Sequence, residues 1–471
     1  MSPDTGAASA RVDAAFVAAA AAVVGAGFVF QDEAARLRYG TDALKRGHPA
    51  DLVVVPADTA EVAAIARLCH GAGVPIVARG AGTGYTGGAV PVRGGVVLSL
   101  ERFDRILTID RRNLLAVTQP GVITGSLQDA VEGVGLFYPP DPASLRECSV
   151  GGNVAECAGG PRAFKYGNTR RYVLGLEAVL VDGTVIRTGG KTVKNVVGYD
   201  LTQLLVGSEG TLAIVTEITL RLVPLPPARA ALRATFATIA AAVDTVDRLV
   251  QRGVVPAALE LVDRVSLDAL RKYLGGEPLA PAGTEGLLVV EVDGVDAAVA
   301  HEIELVEAAC RDSGATDVRR ARDEAERQEV WRVRRELSYA LRTVGAWKYN
   351  HDIVVPKGRI PELFQLVDRL RRESGLLIPA FGHVGDGNIH VNIMVDANDP
   401  ETNARVRATE QHLFEGVVAL EGSVTGEHGI GFSKAKYMPL EVSPETIAVM
   451  RAVKQAFDPR GLLNPGKIFL D

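Results

Sequence analysis

Three of the eight histidines stand in two short glycine-rich runs near the end of the chain, Gly382-His383-Val384-Gly385-Asp386-Gly387-Asn388-Ile389-His390 and Gly426-Glu427-His428-Gly429. Glycine at 382, 385 and 387 disfavours a helix, so His383 and His390 are expected to flank a turn, with 391–395 continuing as a strand. Such a turn brings both imidazoles to one point. Two imidazoles and a carboxylate, here Glu427, form a ligand set for a catalytic zinc that keeps one position open, and manganese or iron accept the same set. Taken singly, a histidine beside glycine reads more readily as a turn or core residue. A metal-dependent hydrolase would also use this triad.

Glycine carries a second kind of chemistry. Residues 79–91 read Arg79-Gly80-Ala81-Gly82-Thr83-Gly84-Tyr85-Thr86-Gly87-Gly88-Ala89-Val90-Pro91, in which Gly82, Gly84 and Gly87 have the spacing of the dinucleotide fingerprint. That fingerprint needs a helix directly after the glycines, because the helix N-terminus faces the pyrophosphate. Here Pro91, Gly94 and Gly95 come first and then the strand-like Val96-Val97-Leu98, so a Rossmann nicotinamide site fails on context. A loop between two strands can still converge backbone N–H groups on a pyrophosphate. A plain glycine-rich hairpin turn is the alternative. More glycine follows at Ser149-Val150-Gly151-Gly152-Asn153, Ala158-Gly159-Gly160, Lys165-Tyr166-Gly167 and Gly207-Ser208-Glu209-Gly210. That density implies backbone passing close to a large flat ligand.

A mixed fold has to hold these residues. Short β-branched runs at 52–55, 75–78 and 96–100 alternate with a helical stretch at 60–70, for which Asp58 is the N-cap. Further strands are expected at 116–119, 176–181, 184–187 and 212–222. Val223-Pro224-Leu225-Pro226-Pro227 breaks every regular pattern and marks a domain edge. Beyond it, helices at 238–252, 297–313 and 323–342 alternate with strands at 286–292 and 352–355, and the stretch from Asp458 to Lys467, rich in turn formers, reads as an ordered cap.

At 471 residues the chain exceeds the roughly 250–300 that one hydrophobic core accommodates, so more than one packed unit is expected. The balance of 51 basic against 57 acidic side chains leaves no basic stripe for a phosphate backbone, which excludes nucleic acid as a partner. Cys69, Cys148, Cys157 and Cys310 are too scattered for a disulfide framework or an iron–sulfur or zinc ribbon site, as in a reducing cytoplasm. The alanine-rich run over 14–30 looks like the apolar part of a signal peptide. Its flank, however, carries only Arg11 between Asp4 and Asp13, and Gly25 and Gly27 interrupt it. A first amphipathic helix turning into a strand is expected instead. No apolar run is long enough to span a bilayer.

The order of the glycine elements resembles the FAD-binding domain of the vanillyl-alcohol oxidase and p-cresol methylhydroxylase superfamily. Over roughly residues 35–468 the chain is similar to the glycolate oxidase flavoprotein subunits and the D-lactate and D-2-hydroxyglutarate dehydrogenases of that superfamily. The resemblance implies an α+β fold: a two-part FAD-binding domain over 1–226, an α+β substrate or cap domain over 227–430, and a segment, 431–471, packing back near the FAD domain. It implies that Arg79, Gly80, Ala81, Gly82, Thr83, Gly84, Thr86, Gly87 and Gly88 wrap the FAD pyrophosphate. Pro140, Asp141, Ser144, Gly151, Gly152, Asn153, Gly160, Tyr166, Gly167, Glu209, Gly210, Ile214 and Asn464 would lie along the cofactor. Covalent members attach the flavin to a histidine of the pyrophosphate loop. Thr83 and its neighbours are not histidine, so the FAD is expected to be non-covalent.

In related 2-hydroxy acid dehydrogenases, the residues matching His383, His390 and Glu427 bind a divalent metal, which tips the histidine cluster from turn residues to ligands. His428 stands where the family places its base, and the resemblance makes Asn392, two residues after His390, a candidate to touch substrate. Arg334 matches the carboxylate-binding arginine, with Ser338 one turn later on the same helix face. Arg332 and Arg335 read as a solvated face, and Lys348 is a further substrate candidate. The implied reaction is oxidation of a small D-2-hydroxy acid, glycolate or D-lactate before D-2-hydroxyglutarate, with hydride passing to flavin N5. Electrons would leave to a partner subunit, an electron-transferring flavoprotein, a quinone or a cytochrome rather than a nicotinamide. A metal suits this reaction because it lowers the pKa of a coordinated oxygen from 15.7 to about 7 in the case of water. An electron-transfer subunit that holds FAD without a substrate of its own would need none of Arg334, His428 or the triad. A homodimer is compatible, as is a cytoplasmic protein meeting the inner membrane only through a partner.

Overall fold

The computed structural model describes residues 12–276 and 280–469, so Asp4 and Arg11 lie outside it. The described residues separate into two compact units. The first is built from the chain up to Gly159, from Asn168–Leu225 and from Glu427 onward, the second from Gly160–Gly167 and Pro226–Gly426.

In the first unit the alanine-rich run is the helix Ala14–Val24, capped by Asp13, whose side chain accepts the Phe16 amide. Phe16, Ala20 and Val24 are its buried positions, and they join a core with Val62, Ile65, Ile76, Leu98 and Ile214. Strands β1 (Val29–Phe30), β2 (Leu52–Val54), β3 (Ile76–Arg79) and β4 (Val96–Ser99) form a sheet in the order β1-β2-β4-β3. Asp58 caps the helix Thr59–Ala72 between β2 and β3, and Gly73 at φ 66° ends it in the left-handed conformation.

Strands β3 and β4 are parallel neighbours, so the glycine loop joining them is a crossover and the hairpin-turn reading is excluded. A second sheet, order β5-β6-β10-β8-β9, contains β5 (Ile106–Asp110), β6 (Leu115–Thr118), β8 (Val173–Val179), β9 (Val185–Gly189) and β10 (Ile214–Arg221). The short pair β7 (Leu136–Phe137) and β11 (Val223–Pro224) completes the unit's strands among the described residues. The turn-rich tail is ordered by Asp458, whose carboxylate accepts the amides of Leu462 at 3.0 Å and Leu463 at 2.7 Å, and Leu463 then bridges to Ile76 of β3.

The second unit is organised on one antiparallel sheet in the order β15-β12-β14-β13-β17-β18-β16. Its strands are β12 (Ala228–Phe236), β13 (Ala258–Asp263), β14 (Gly286–Gly294), β15 (Asp317–Arg320), β16 (Trp347–Val354), β17 (Ala380–His383) and β18 (Asn388–Val395). Side chains alternate between faces with a period of two, and directly paired residues share a face. The registers therefore put Val262, Val289, Phe381 and Met394 on one face together with Glu260, His383, His390, Asn392 and Lys348. The apolar members pack under the helices Arg264–Tyr273 and Glu324–Leu341, through Leu267, Leu270, Val330, Val333 and Leu337.

Candidate functional site

The hairpin of β17 and β18 carries both His383 and His390, on either side of the turn that the glycines between them make. Gly387 has φ +88°, and a side chain there would collide with the Val355 carbonyl oxygen, so only glycine closes the turn at this spot. His383 and His390 are buried, and their rings meet edge to face with centroids 5.3 Å apart. Opposite His383 in the register stands Glu260 of β13, 0% exposed at the middle of the sheet. Its Oε1 is hydrogen-bonded to His383 Nδ1, and its Oε2 accepts Arg334 Nε at 2.5 Å. Burial by itself would raise this carboxyl, but the adjoining His383 and Arg334 outweigh it and bring the pKa down to about 2.

Asp352 of β16 pairs with His390 and turns its carboxylate to the chain that precedes Glu427. Its Oδ2 accepts the Gly426 amide at 2.9 Å, and its Oδ1 accepts the Thr425 hydroxyl at 3.3 Å. Glu427 is one peptide bond further on. One ligand atom from each of His383, His390 and Glu427 lies within 4.8 Å of the others, a separation that suits a single cation. Neither Glu260 nor Asp352 was singled out from the sequence.

The helix Glu324–Leu341 points a stripe at the same sheet face. Arg327 and the Trp331 indole both bond Glu291 Oε2, at 2.8 and 2.7 Å, and Arg334 bonds Glu260 one turn on. Arg334 also lies over the Phe381 ring at 4.8 Å. Arg332 pairs with Glu329, and Arg335 bonds Gln328, both along the helix itself. Ser338, at the next position of the Arg334 stripe, is half-buried. Lys348 is on the same sheet face, and burial, then Arg342 and Arg334, lower its pKa to about 8. Asn392 is fully buried and takes a 2.7 Å bond from Asn350 across the strand pair. In this unit too the Tyr166 hydroxyl donates to Asp293 at 2.8 Å, between Gly160 at φ +136° and Gly167 at φ +81°.

In the first unit the loop after β3 has no helix between Arg79 and Val96, in keeping with the exclusion of a Rossmann site. Arg79 has a buried guanidinium nitrogen with no hydrogen-bond partner, a donor suited to an anion such as a pyrophosphate. Asp42 faces it with one carboxylate oxygen likewise unpartnered, and burial raises its pKa to about 6. Gly80 lies against Ser149, the N-cap of the helix Val150–Glu156, with no room for a Cβ, and the Ala81 amide reaches Ser149 Oγ at 3.4 Å. The loop at 79–88 and the run at 149–153 thus come together. So do Gly88, Glu209 and Asn464, because Asn464 Nδ2 donates to the Gly88 and Glu209 carbonyls at 2.8 and 2.7 Å.

Other predicted positions of this unit have polar groups engaged within the protein. Asn153 bonds the Thr124 hydroxyl at 2.7 Å, and the Pro140 carbonyl accepts Gln128 at 2.8 Å. Thr86 donates to the His428 carbonyl at 3.0 Å. Ile214 is fully buried in the core. Gly82 and Gly87 hold φ of +73° and +82° in the loop, and Gly210 holds +66° beside Glu209. His428 follows Glu427, its ring 5.3 Å from that of Tyr85, an aromatic inside the glycine loop that carried no role in the sequence reading.

Residues 50–189 match the FAD binding domain family, and residues 225–468 match the family described as FAD linked oxidases, C-terminal domain. The glycolate oxidase subunit GlcD of Bacillus subtilis (strain 168) is 41% identical over 437 residues, covering 93% of this chain and 93% of its own. The probable mitochondrial D-lactate dehydrogenase of Danio rerio is 36% identical over 441 residues, 92% of this chain and 88% of its own. Among solved structures, p-cresol methylhydroxylase with substrate bound superposes with a TM-score of 0.82 at 19% identity, over 97% of this chain and 96% of that one, which shows the fold. No described helix is long and apolar enough to cross a membrane. A family match through the whole C-terminal half, an FAD binding domain before it and relatives alike over nearly their full length lead to one assignment: the chain belongs to the FAD-linked oxidases.

Proposed function

We propose that this enzyme oxidises a small D-2-hydroxy acid, glycolate or D-lactate, to the 2-oxo acid, using non-covalent FAD and a divalent metal held by His383, His390 and Glu427. The observation that carries the reading is that one ligand atom from each of those three residues lies within 4.8 Å of the others, while Glu260 joins His383 to Arg334. The names of the relatives, a glycolate oxidase subunit and D-lactate dehydrogenases, point to the same substrate class. Bound beside Arg79 and the glycines after it, FAD would supply the hydride acceptor, and a divalent cation of the zinc, manganese or iron kind held by His383, His390 and Glu427 would supply the acidity that a neutral alcohol lacks.

The chain's own residues do the rest. Arg334 offers a guanidinium fork to the substrate carboxylate, and Lys348 adds a second positive charge on the same face. Asn392 and Ser338 supply neutral polar groups for orientation. His428 collects the hydroxyl proton as the base. Arg79 and the glycines after it take the FAD pyrophosphate. Three of the relatives are named as subunits, so the acceptor we favour is a partner subunit, with an electron-transferring flavoprotein, quinone or cytochrome as substitutes, in the cytoplasm.

Anaerobic addition of glycolate, D-lactate and D-2-hydroxyglutarate to the purified flavoprotein tests the reading. Bleaching of the visible flavin band by glycolate or D-lactate is expected. In His383→Ala the flavin should stay bound while metal content and bleaching are lost together, and undiminished bleaching in that variant would remove the metal from the reaction.

A further inference from the structure

We infer that Glu260 is a positioning residue that sets His383 as a metal ligand and Arg334 as a carboxylate clamp at the same time; the inference rests on the metal-assisted reading above. Glu260 sits in β13, with β14 and β17 paired on either side, and is 0% exposed, so its charge is fully desolvated and its orientation is set by the sheet. A carboxylate in that position persists only when both oxygens are paired. One of them takes His383 Nδ1. The proton must then be on Nδ1, which leaves the Nε2 lone pair as the ligand and turns the ring plane toward the cluster, the usual carboxylate–histidine–metal arrangement.

The other oxygen takes Arg334 Nε at 2.5 Å, and Phe381 supports the guanidinium from below at 4.8 Å. Since Nε makes that bond, the two Nη groups at the outer end of the fork are not used by Glu260. Those groups are the pair that grips a carboxylate end-on. Glu260 thereby fixes the distance between the group that would activate the hydroxyl and the group that would hold the carboxylate. In a 2-hydroxy acid the hydroxyl and carboxylate are attached to adjacent carbons, so this spacing has little tolerance. An ordinary buried ion pair would serve Arg334 alone and would have no reason to reach a metal ligand.

The test uses the full-length flavoprotein with Glu260→Gln and Glu260→Ala. Zinc retention is measured against a graded chelator, and kcat and KM are measured with glycolate and D-lactate. Expected for Glu260→Gln are retained flavin, zinc affinity lower by about 10–100-fold, and a KM raised about tenfold. Saturating zinc should restore kcat but leave KM high, a split that general loosening of the fold would not produce. Wild-type zinc retention and KM in both variants would overturn the inference.

Should both variants fail to fold, 15N-histidine spectra of the wild-type protein with zinc decide the matter, because coordination of His383 through Nδ1 contradicts the proposal and coordination through Nε2 supports it. A wild-type protein that retains none of zinc, manganese and iron would remove the metal reading and the His383 half with it. The KM of Glu260→Gln then decides the Arg334 half separately.

Discussion

The carboxylate of Glu209 accepts the backbone amides of both Ile430 and Gly431, each at 2.7 Å, and so holds the turn on which His428 stands. Glu209 itself is bent to φ +53°, a conformation that costs a non-glycine residue about 1–3 kcal/mol and persists where surrounding bonds enforce it. Here Asn464 enforces it by binding the Glu209 carbonyl at 2.7 Å. Glu209→Gln keeps one acceptor oxygen and strands one buried amide, which should cost about 1–3 kcal/mol. We expect a lower Tm and a lower kcat with KM nearly unchanged, because the turn moves while the carboxylate clamp is untouched. Thermal scans with anaerobic flavin reduction check it, and a fall in Tm with full kcat would show that the turn does not depend on Glu209.

Asp42 gives a stability prediction with a definite sign. Burial raises its pKa from the ordinary 3.8 to about 6. Between those values the unfolded chain has released a proton that the folded protein still holds, so stability falls as pH rises from about 4 to about 6 and is level above. Asp42→Asn keeps the oxygen that accepts the Leu44 amide and carries no charge to desolvate. Denaturation of the flavin-free variant and wild type should therefore coincide near pH 4 and separate by pH 7, with the variant more stable. A constant gap across that range would contradict the buried-carboxyl account.

Lys348 ties activity to pH in the opposite range. With its pKa lowered to about 8 by burial and by the cationic Arg342 and Arg334, it is charged below that pH and neutral above it. If it helps to bind the substrate carboxylate, kcat/KM should decline above about pH 8, since that ratio reports ionisations of the free enzyme. Lys348→Arg should keep the charge and flatten the decline. A variant whose profile matches the wild type would assign the decline to another group.

How far the sequence could reach is clear from particular residues. The β17–β18 hairpin was readable because three glycines forbid a helix and β-branched residues follow. The choice of Arg334 came from the family resemblance, while the reading of Arg332 and Arg335 as an outer helix face came from the residues, which bond Glu329 and Gln328 along the helix. Glu260 was not readable. It sits in a strand buried at all six positions, so there is no alternation to mark an inward polar residue, and its partners are 74 and 123 residues away. The parallel pairing of β3 with β4 was equally hidden, since nothing local distinguishes a crossover loop from a hairpin. Asp352 escaped for a related reason, because its task is to hold a main-chain amide at Gly426, 74 residues on, and backbone partners leave no trace in side-chain patterns.

The Arg334–Glu260 pair also permits a stability prediction that is independent of turnover. Arg334→Leu removes the arginine from a fully buried carboxylate and leaves only His383 on it, and breaking a buried pair in this way costs about 3–5 kcal/mol. Glu260→Gln/Arg334→Leu has no such charge, and its amide can still accept from His383, so the double variant should be more stable than Arg334→Leu alone. Urea denaturation of the two single variants, the double variant and the wild type measures the coupling directly. Additive losses would mean that Arg334 and Glu260 do not sense each other, and the clamp would then have to be sought with another arginine. A recovered double variant that still fails to bleach its flavin with substrate would separate the two contributions of the pair, one to the fold and one to the reaction.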